Sequence, residues 1–549
     1  MYRVLILGGY GVFGGRLIDL LSEREDLTLL VAGRNLRAAD AFVAERFSRA
    51  TLVAVAGDRS VPDALLDTLK PDLVVDASGP FQTYGADPYA LARAAILRGI
   101  HYLDFADGAD FVAGFATLDP LARERGVVAL SGVSSFPVLT FAVLQEMKKR
   151  MNVTRATGGI APSPYAGVGK NVMRAVIGYA GAPVHLWRNG REATGIGLAE
   201  TRRFTIGPPG IVPLNNIRFS LVDVPDLRLI PAAMPEIRDI WMGAGPVPEI
   251  LHRILNLLAR MRHALHLPSL APLAGLFYRV LNLMKFGEHR GGMFVAAEGD
   301  GKRLSWHLIA EGDDGPLIPS MAIEHLVRQM ADGHCPEPGA RAALGALTLD
   351  NYAERFADRA IRFGWRDDSE GPLYERILDG AFSTLPPVLQ SLHRPGSKSV
   401  WSGRANVTGA SGLARLVRKV FRFPHPAQEL SVNVTFATDA AGRETWSRNF
   451  DGRVMRSTQE VGLGRNAYLM VERFGPFAFA LALVVDGDRL KLITRRWSLL
   501  GIPLPRFLMP KGDSYESTDG GKFQFHVEID VPLIGNVVTY DGWLLPVTN

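Results

Sequence analysis

The chain has 549 residues, 47% hydrophobic and 21% charged, which is too apolar for a disordered chain and long enough for three or four domains. Its single cysteine, Cys335, excludes a disulfide framework and multi-cysteine metal sites, and no metal site is expected. A net charge of +5 over this length, with no basic run longer than Lys148-Lys149-Arg150, points away from nucleic acid.

The apolar stretch at Tyr2–Leu7 breaks at once into glycines, with no small-residue cleavage site. It reads as a buried strand, Val4–Leu7, and not as a secretory signal. Gly9, Gly11 and Gly14 follow in the pattern Gly-x-Gly-x-x-Gly, ahead of an amphipathic segment at Arg16–Leu21. Strand, glycine turn and helix form a dinucleotide-binding signature. The glycines permit a tight turn, a close backbone approach to a pyrophosphate and close helix–strand packing, and the helix N-terminus offers free N–H groups to phosphate. Gly9, Tyr10, Gly11, Val12, Phe13 and Gly14 are therefore the expected phosphate loop.

A second strand, Leu27–Ala32, ends in Gly33-Arg34-Asn35. NAD-selective sites usually place a carboxylate there to bond the ribose 2′-hydroxyl. Arg34 with Asn35 suits a 2′-phosphate instead, so NADP is expected over NAD; the alternative is that Arg34 is a solvated residue at a helix start. The third strand, Thr51–Ala56, leads to Asp58, placed to reach the adenine edge. The fourth, Asp72–Ala77, leads to Ser78-Gly79-Pro80-Phe81, expected on the ribose and nicotinamide side. A helix at Pro88–Leu97, a strand at His101–Asp104, a helix at Phe115–Arg125 and a strand at Val127–Leu130 complete the alternation. The fold class is α/β, a doubly wound parallel Rossmann sheet.

These motifs resemble the saccharopine dehydrogenase-like oxidoreductases. The resemblance rests on Gly8 to Gly14, Ala32-Gly33-Arg34-Asn35, Asp76 to Phe81 with Tyr84-Gly85, and Gly99 to Asp104, in order over the first 135 or so residues. It implies an NAD(P)-dependent oxidoreductase whose substrate-side domain is inserted before the last Rossmann elements. No segment after Ser131 to Pro137 matches the amino-acid-binding residues of true saccharopine reductases, so the substrate stays open, small or lipid-linked.

From Val153 to about Ala310 the periodicity changes. A helix is expected at Asn171–Tyr179, strands at Thr201–Ile206 and Arg218–Val222, and a hairpin at Met293–Glu298 and Arg303–Ala310. This reads as an inserted α+β domain. Ile250, Leu251, Ile254, Leu255, Leu258, Met261 and Leu265 recur at helical spacing across Glu249–His266, with arginines and histidines elsewhere on the helix. Such a helix covers a core, meets a second copy in a homodimer, or lies on an anionic membrane. No uncharged run is long enough for a membrane span, and a cytoplasmic location is expected, with a peripheral site on the inner face of the membrane as the variant. Weak candidates for the chemistry are His101 and Tyr102, read as near the ligand-side edge, and His289 and Arg290, which could hold a carboxylate or phosphate. A structural role is the plainer reading of each.

A helix is expected at Ser320–Met330 and another from Leu349 to Phe363, followed by a boundary at Arg366 to Pro372. The domains are read as 1–135 Rossmann, 136–318 substrate or dimerisation, 319–366 helices returning to the Rossmann unit, and 367–549 β-rich. Beyond a helical stretch at Leu373–Leu392, short strands are expected at Leu430–Phe436, Glu444–Asn449, Tyr468–Arg473, Ala478–Val485, Leu490–Ser498, Phe523–Ile529 and Asn536–Leu544, as a half-barrel, barrel or sandwich. Trp446 to Phe450, Leu500 to Pro505, Pro532 to Gly535 and Tyr540 to Trp543 resemble DUF4166, a bacterial domain of unknown function often fused to saccharopine dehydrogenase-like domains. That resemblance lends an architecture only; a closed sheet could enclose an apolar cavity, although a filled core is commoner. The function expected is NADP(H)-dependent hydride transfer. The alternatives are a non-catalytic NADP-binding sensor or scaffold and a membrane-surface lipid reductase.

Overall fold

The computed structural model describes all residues except 168, 247, 284, 368–369, 410–411 and 548–549. Asp368 and Ser369, within the expected domain boundary, thus lie outside the described residues. By its contacts the chain separates into two compact units. One comprises Met1–Arg203, Arg218–Leu304 and Ile309–Ile361; the other comprises Phe204–Ile217, Ser305–Leu308 and Arg362–Asn549.

In the first unit, strands β1 (Tyr2–Leu7), β2 (Leu27–Gly33), β3 (Thr51–Ala56), β4 (Leu73–Asp76), β5 (His101–Asp104) and β6 (Val128–Ser131) alternate with helices beginning at α1 (Val12–Leu21). The late strand Gly339–Ala342 pairs parallel to β6, giving a seven-stranded sheet in which β3, β2, β1, β4, β5 and β6 stand side by side. Every strand pair in it is parallel. Val4, Leu5 and Ile6 are fully buried because helices cover both faces, which is why β1 reads as an unbroken apolar run. Strand order reverses between β1 and β4, so a crevice opens at the carboxyl ends of these two strands.

The inserted region contributes a mixed seven-stranded sheet. Strand Arg155–Ala161 sits near its centre, parallel to Asp239–Ala244 and antiparallel to Arg290–Gly299. The sequence reading missed Arg155–Ala161, Asp239–Ala244 and the hairpin Pro183–Arg188 with Arg191–Ile196. It also carried a helix from Leu349 to Phe363, whereas the helix stops at Phe356 and Ile361–Asp367 is a strand. Aromatic Phe363 and Trp365 alternate there with Arg362, Gly364 and Arg366, a period of two that the preceding helical pattern masked.

In the second unit ten antiparallel strands close into a barrel. The ring runs from Lys398–Thr408 through Ala427–Thr438, Glu444–Phe450, Arg453–Val461, Met470–Phe474 and Phe477–Asp486. It continues through Arg489–Leu499, Ser514–Asp519, Lys522–Val531 and Gly535–Pro546, which pairs back with Lys398–Thr408. A two-residue strand, Ile502–Pro503, adds to Arg489–Leu499. The sheet is thus a closed barrel, not a half-barrel or a sandwich. Helices Leu373–Leu378 and Pro387–Leu392 pack against one end, where Tyr374, Leu389 and Leu392 are fully buried.

Candidate functional site

The glycine turn is fixed by backbone crowding. Gly8 adopts φ +75°, and a Cβ there would lie 2.7 Å from the carbonyl oxygen of Ala77. A Cβ on Gly14 would lie 2.4 Å from the oxygen of Gly8 and 2.8 Å from Cα of Gly9. Only glycine lets α1 begin this close to β1. The amide of Gly11 donates to Gly8 O at 2.8 Å, and Gly11 caps α1 without a side-chain bond. No acidic residue occupies the first turn of α1, so its free N–H groups and positive dipole end face outward without competition.

A cavity of about 560 Å³ opens over this turn, at the crevice between β1 and β4. Gly8, Tyr10, Gly11, Val12 and Phe13 form its floor. Gly33, Arg34, Asp58 and Arg59 line the side beyond β2 and β3, and Ser78 to Phe81, Tyr84, Phe105 and Asp107 line the other side. Helix Lys170–Tyr179 closes it with Lys170 and Arg174, one helical turn apart. A Cβ on Gly169, at the cap of that helix, would touch the side chain of Val12 at 3.4 Å, so the helix start abuts α1. Lys170 and Arg174 are site residues that sequence reasoning did not find. They lie about 160 residues beyond the glycine turn, and no local motif marks them.

The wall from β4 is organised around Asp76, which is fully buried. Its carboxylate accepts from the amide of Ser78 at 3.0 Å, the hydroxyl of Ser78 at 2.5 Å and the hydroxyl of Tyr84 at 3.3 Å, and pairs with Arg59 Nε at 3.4 Å. Arg59 also stacks over the Tyr84 ring at 3.3 Å. Burial, and then the charge of Asp76, push the Tyr84 phenol far above its usual range. Asp58 is held below its usual value by the amide and hydroxyl of Ser60, with Arg34 and Arg59 adding to the effect. Asp107 is shifted the other way by burial, although Gln82 donates to it at 3.0 Å.

Of the sequence-selected residues, the cavity brings together Tyr10, Gly11, Val12, Phe13, Arg34, Asp58, Ser78, Gly79, Pro80 and Phe81. Gly9 and Gly14 pack behind its floor. Asn35 caps the next helix, accepting from Ala38 N at 3.2 Å, while its own amide donates to Tyr10 Oη at 3.1 Å. The four weak candidates for the chemistry lie elsewhere. His101 begins β5, so it stands at the amino end of the sheet, opposite the crevice, where its Nδ1 accepts from the amide of Val128. Tyr102 is buried and stacks on Phe115. His289 pairs with Asp313 at 3.3 Å, and Arg290 pairs with Glu288.

Residues 4–130 match the saccharopine dehydrogenase NADP binding domain, and residues 385–544 match the domain of unknown function DUF4166. The chain joins a saccharopine dehydrogenase NADP-binding domain to a DUF4166 barrel. The NADP-binding domain is an NAD(P)-binding domain of the oxidoreductase type, and the cavity lies at the carboxyl ends of its strands β1 and β4. Similar solved structures include a Gfo/Idh/MocA family oxidoreductase from Vibrio cholerae, 10% identical, with 61% of this chain and 91% of that chain covered and a TM-score of 0.29. A second is the WlbA (WbpB) dehydrogenase from Thermus thermophilus in complex with NAD and alpha-ketoglutarate, 13% identical, with coverages of 66% and 93% and a TM-score of 0.29. No curated protein sequence matches the chain. No helix among the described residues is long and apolar enough to cross a membrane.

Proposed function

We propose that the chain is an NADP(H)-dependent oxidoreductase that transfers hydride to or from a small or lipid-linked substrate. The observation that carries this reading is the set of four cationic side chains, Arg34, Arg59, Lys170 and Arg174, around a cavity whose floor is a glycine turn at a helix N-terminus. Among the described residues only two carboxylates, Asp58 and Asp107, line the same cavity. The excess positive charge suits a pyrophosphate and a further phosphate. When bound, the dinucleotide would supply or accept the hydride at its nicotinamide ring.

The protein's own part is to bind and orient. Free amides of the first turn of α1 hold phosphate, Arg34 reaches toward the ribose side, and the fixed Asp76–Ser78–Tyr84 cluster keeps the far wall in place. Asp107 is the best-placed proton carrier, because it is one of the carboxyls that line the cavity and burial raises its pKa. The reading is tested by titrating the purified chain with NADPH and NADH. Tighter NADPH binding is expected, and tighter NADH binding overturns it. Tight NADPH binding without turnover across a broad screen of carbonyl, imine and enoyl substrates would favour the sensor alternative.

A second reading concerns Glu249–Leu265. The helix is mounted with its polar side inward: His252 bonds Ser220 Oγ at 2.6 Å, Asn256 donates to Leu198 O at 2.7 Å, and Arg262 donates to Ala180 O at 2.6 Å. Ile250, Ile254, Leu257, Met261 and Leu265 are exposed. Leu255 is buried beside these polar partners and Leu251 and Leu258 are half-buried, so one edge of the apolar stripe packs on this chain and the other is left uncovered. Arg260 and Arg262 are tied to backbone carbonyls and Arg253 to Glu249, which favours a second copy of the chain over anionic lipid as the cover. Sedimentation should give a dimer that Leu257→Asp dissociates; a monomeric wild-type chain would remove this reading.

A further inference from the structure

The DUF4166 barrel is not filled. A cavity of about 300 Å³ lies within it, the space of roughly ten water-sized groups. Most of its wall is aromatic and aliphatic, including Phe436, Trp446, Phe479, Leu481, Phe525 and Val527. Four polar side chains of the wall are bonded to one another. Glu472 accepts from Arg448 at 3.3 Å and from Gln459 at 3.2 Å, and Gln459 in turn accepts from Tyr374 at 3.2 Å. Their hydrogen-bonding capacity is largely used within the wall, and Glu516 is paired with His393. Thr494, Lys511, Ser514, His526 and Glu528 also line the cavity, so the lumen offers a guest apolar contact over most, not all, of its surface.

The lumen is sealed at one end and accessible at the other. Tyr374 and Leu392, from the packed helices, line the sealed end and are fully buried. Phe421, Phe474, Phe525 and Ile529 also line the lumen yet remain partly exposed, which places the mouth near them. Strands Lys398–Thr408, Arg489–Leu499 and Lys522–Val531 run in one direction, since each alternates with antiparallel neighbours, so the connections that follow them share this end.

Those connections carry an unusual amount of exposed apolar surface. The short helix Ala414–Val420 has two apolar stripes. Val417, with Phe421 just beyond the helix, lines the lumen, while Leu416 and Val420, with Leu413 before the helix, face solvent at 62%, 65% and 71% exposure. Leu500, Ile502 and Phe507 on the second connection, and Leu533 on the third, are more than two-thirds exposed. Basic residues stand among them: Arg415, Arg418, Lys419 and Arg422 on the first connection, Arg506 and Lys511 on the second. Neither 412–422 nor 500–511 contains an acidic residue. The acids at this end, Glu429, Asp451, Asp513, Glu528 and Asp530, lie at strand ends and turns. Apolar side chains interleaved with lysine and arginine, continuous with an open apolar lumen, are the chemistry of a surface that rests on anionic lipid.

We propose that the barrel is a chamber for a single-chain amphiphile, which enters from an anionic bilayer through this rim. The proposal does not depend on the cofactor reading, and its test uses the full chain without dinucleotide. Dodecanoic acid, titrated calorimetrically, should bind with a stoichiometry of one. A diazirine analogue should label residues of the lumen wall. Val527→Trp, which fills the lumen, should weaken dodecanoate binding by roughly tenfold or more. Ile529→Trp serves the same purpose, and the photolabelling of the wild-type chain decides if both variants misfold. Absence of binding, or label confined to other surfaces, overturns the chamber.

The rim is read separately by flotation. The chain should float with phosphatidylcholine–phosphatidylglycerol vesicles and not with phosphatidylcholine alone. Leu416→Asp with Phe507→Asp should abolish flotation while leaving dodecanoate binding from solution intact. Flotation that survives these changes, or none at all, overturns the bilayer as the source.

Discussion

The ring of Tyr10 occupies the space that a side chain on Gly33 would need: a Cβ added to Gly33 would lie 2.3 Å from Cε1 of the tyrosine. This contact joins the glycine turn to the end of β2, and the bond from Asn35 N to Tyr10 Oη, 3.1 Å long, reinforces it. Gly33→Ala must therefore displace Tyr10 into the cavity or away from it. NADPH affinity is expected to fall by roughly tenfold or more, about 1.4 kcal/mol, with little change in folding stability because the displaced ring borders open space. Fluorescence titration of NADPH with the variant checks this; unchanged affinity would show that the Tyr10–Gly33 contact does not shape the site.

Arg34 and the pair Lys170 and Arg174 stand at different parts of the cavity, so their removal should separate two kinds of recognition. If Arg34 holds a 2′-phosphate, Arg34→Ala should weaken NADPH by roughly ten- to a hundredfold, the range of one charge-assisted bond, and leave NADH nearly unchanged. Lys170→Ala with Arg174→Ala should weaken both dinucleotides together, since these residues stand by the helix start that abuts α1. Dissociation constants for both cofactors across the three proteins decide the matter. An Arg34→Ala chain that kept its preference for NADPH would refute the assignment.

Asp76 is the joint on which the wall beyond β4 hangs. Replacing it with alanine takes the acceptor from Arg59 Nε and from the Ser78–Tyr84 hydroxyl pair, whose members, 3.0 Å apart, can then donate only one to the other, in a largely buried place. Removing one member of such a cluster costs about 3–5 kcal/mol when fully buried, and less here because Arg59 is partly exposed. Asp76→Ala is expected to lower stability by about 2–4 kcal/mol in urea unfolding, and Asp76→Asn, which keeps one acceptor oxygen, by less. A loss under about 1 kcal/mol for the alanine variant would mean that water replaces the carboxylate.

The elements of the NADP-binding domain were legible because their signals are local. Each strand is an apolar run, each turn is marked by glycine, and the spacing of a βαβ unit brings them into order. Its polarity was misread at one point. In a parallel sheet ligands gather at carboxyl ends, so β5 offers Phe105 and Asp107, which follow it, and not His101, which begins it. Lys170 and Arg174 were hidden because a second domain delivers them from far along the chain. In the barrel, Arg453–Val461 was missed since its inward positions include Ser457 and Gln459, which bond Glu472 inside the wall, so the apolar alternation that reveals a strand is absent. The helix Glu249–Leu265 was visible as amphipathic, but which stripe faces inward depends on buried partners such as Ser220 that no helical periodicity can show.

Two buried carboxyl groups give the first unit an unusual pH dependence. Burial raises Asp104 to about 7, helped by the charge of Asp76 and opposed by the amides of Gly132 and Ala106 and the hydroxyl of Ser131. All three donors bond its Oδ1, while Oδ2 has no partner and is the natural seat of the proton. Burial likewise raises Asp226 to about 7. In the unfolded chain both titrate near 3.9. Between about pH 4 and pH 7 each of these two carboxyls therefore binds more protons in the folded state than in the unfolded one, whereas burial lowers His101, His252 and His325, which act in the opposite sense below about pH 6.5. The contribution of the two carboxyls is full below about pH 4 and is lost as pH rises through about 7. Stability should fall by about 1 kcal/mol per pH unit for each carboxyl across that window, then level off. The exposed carboxylates whose pKa is lowered, such as Asp26 and Asp67, act below it. Asp104→Asn with Asp226→Asn replaces each acid proton by an amide hydrogen and should flatten the slope between pH 5 and pH 7, with a higher midpoint than the wild type at pH 8. Urea unfolding at pH 5, 6, 7 and 8 measures both curves, and a slope that persists in the double variant would assign the pH dependence to other groups.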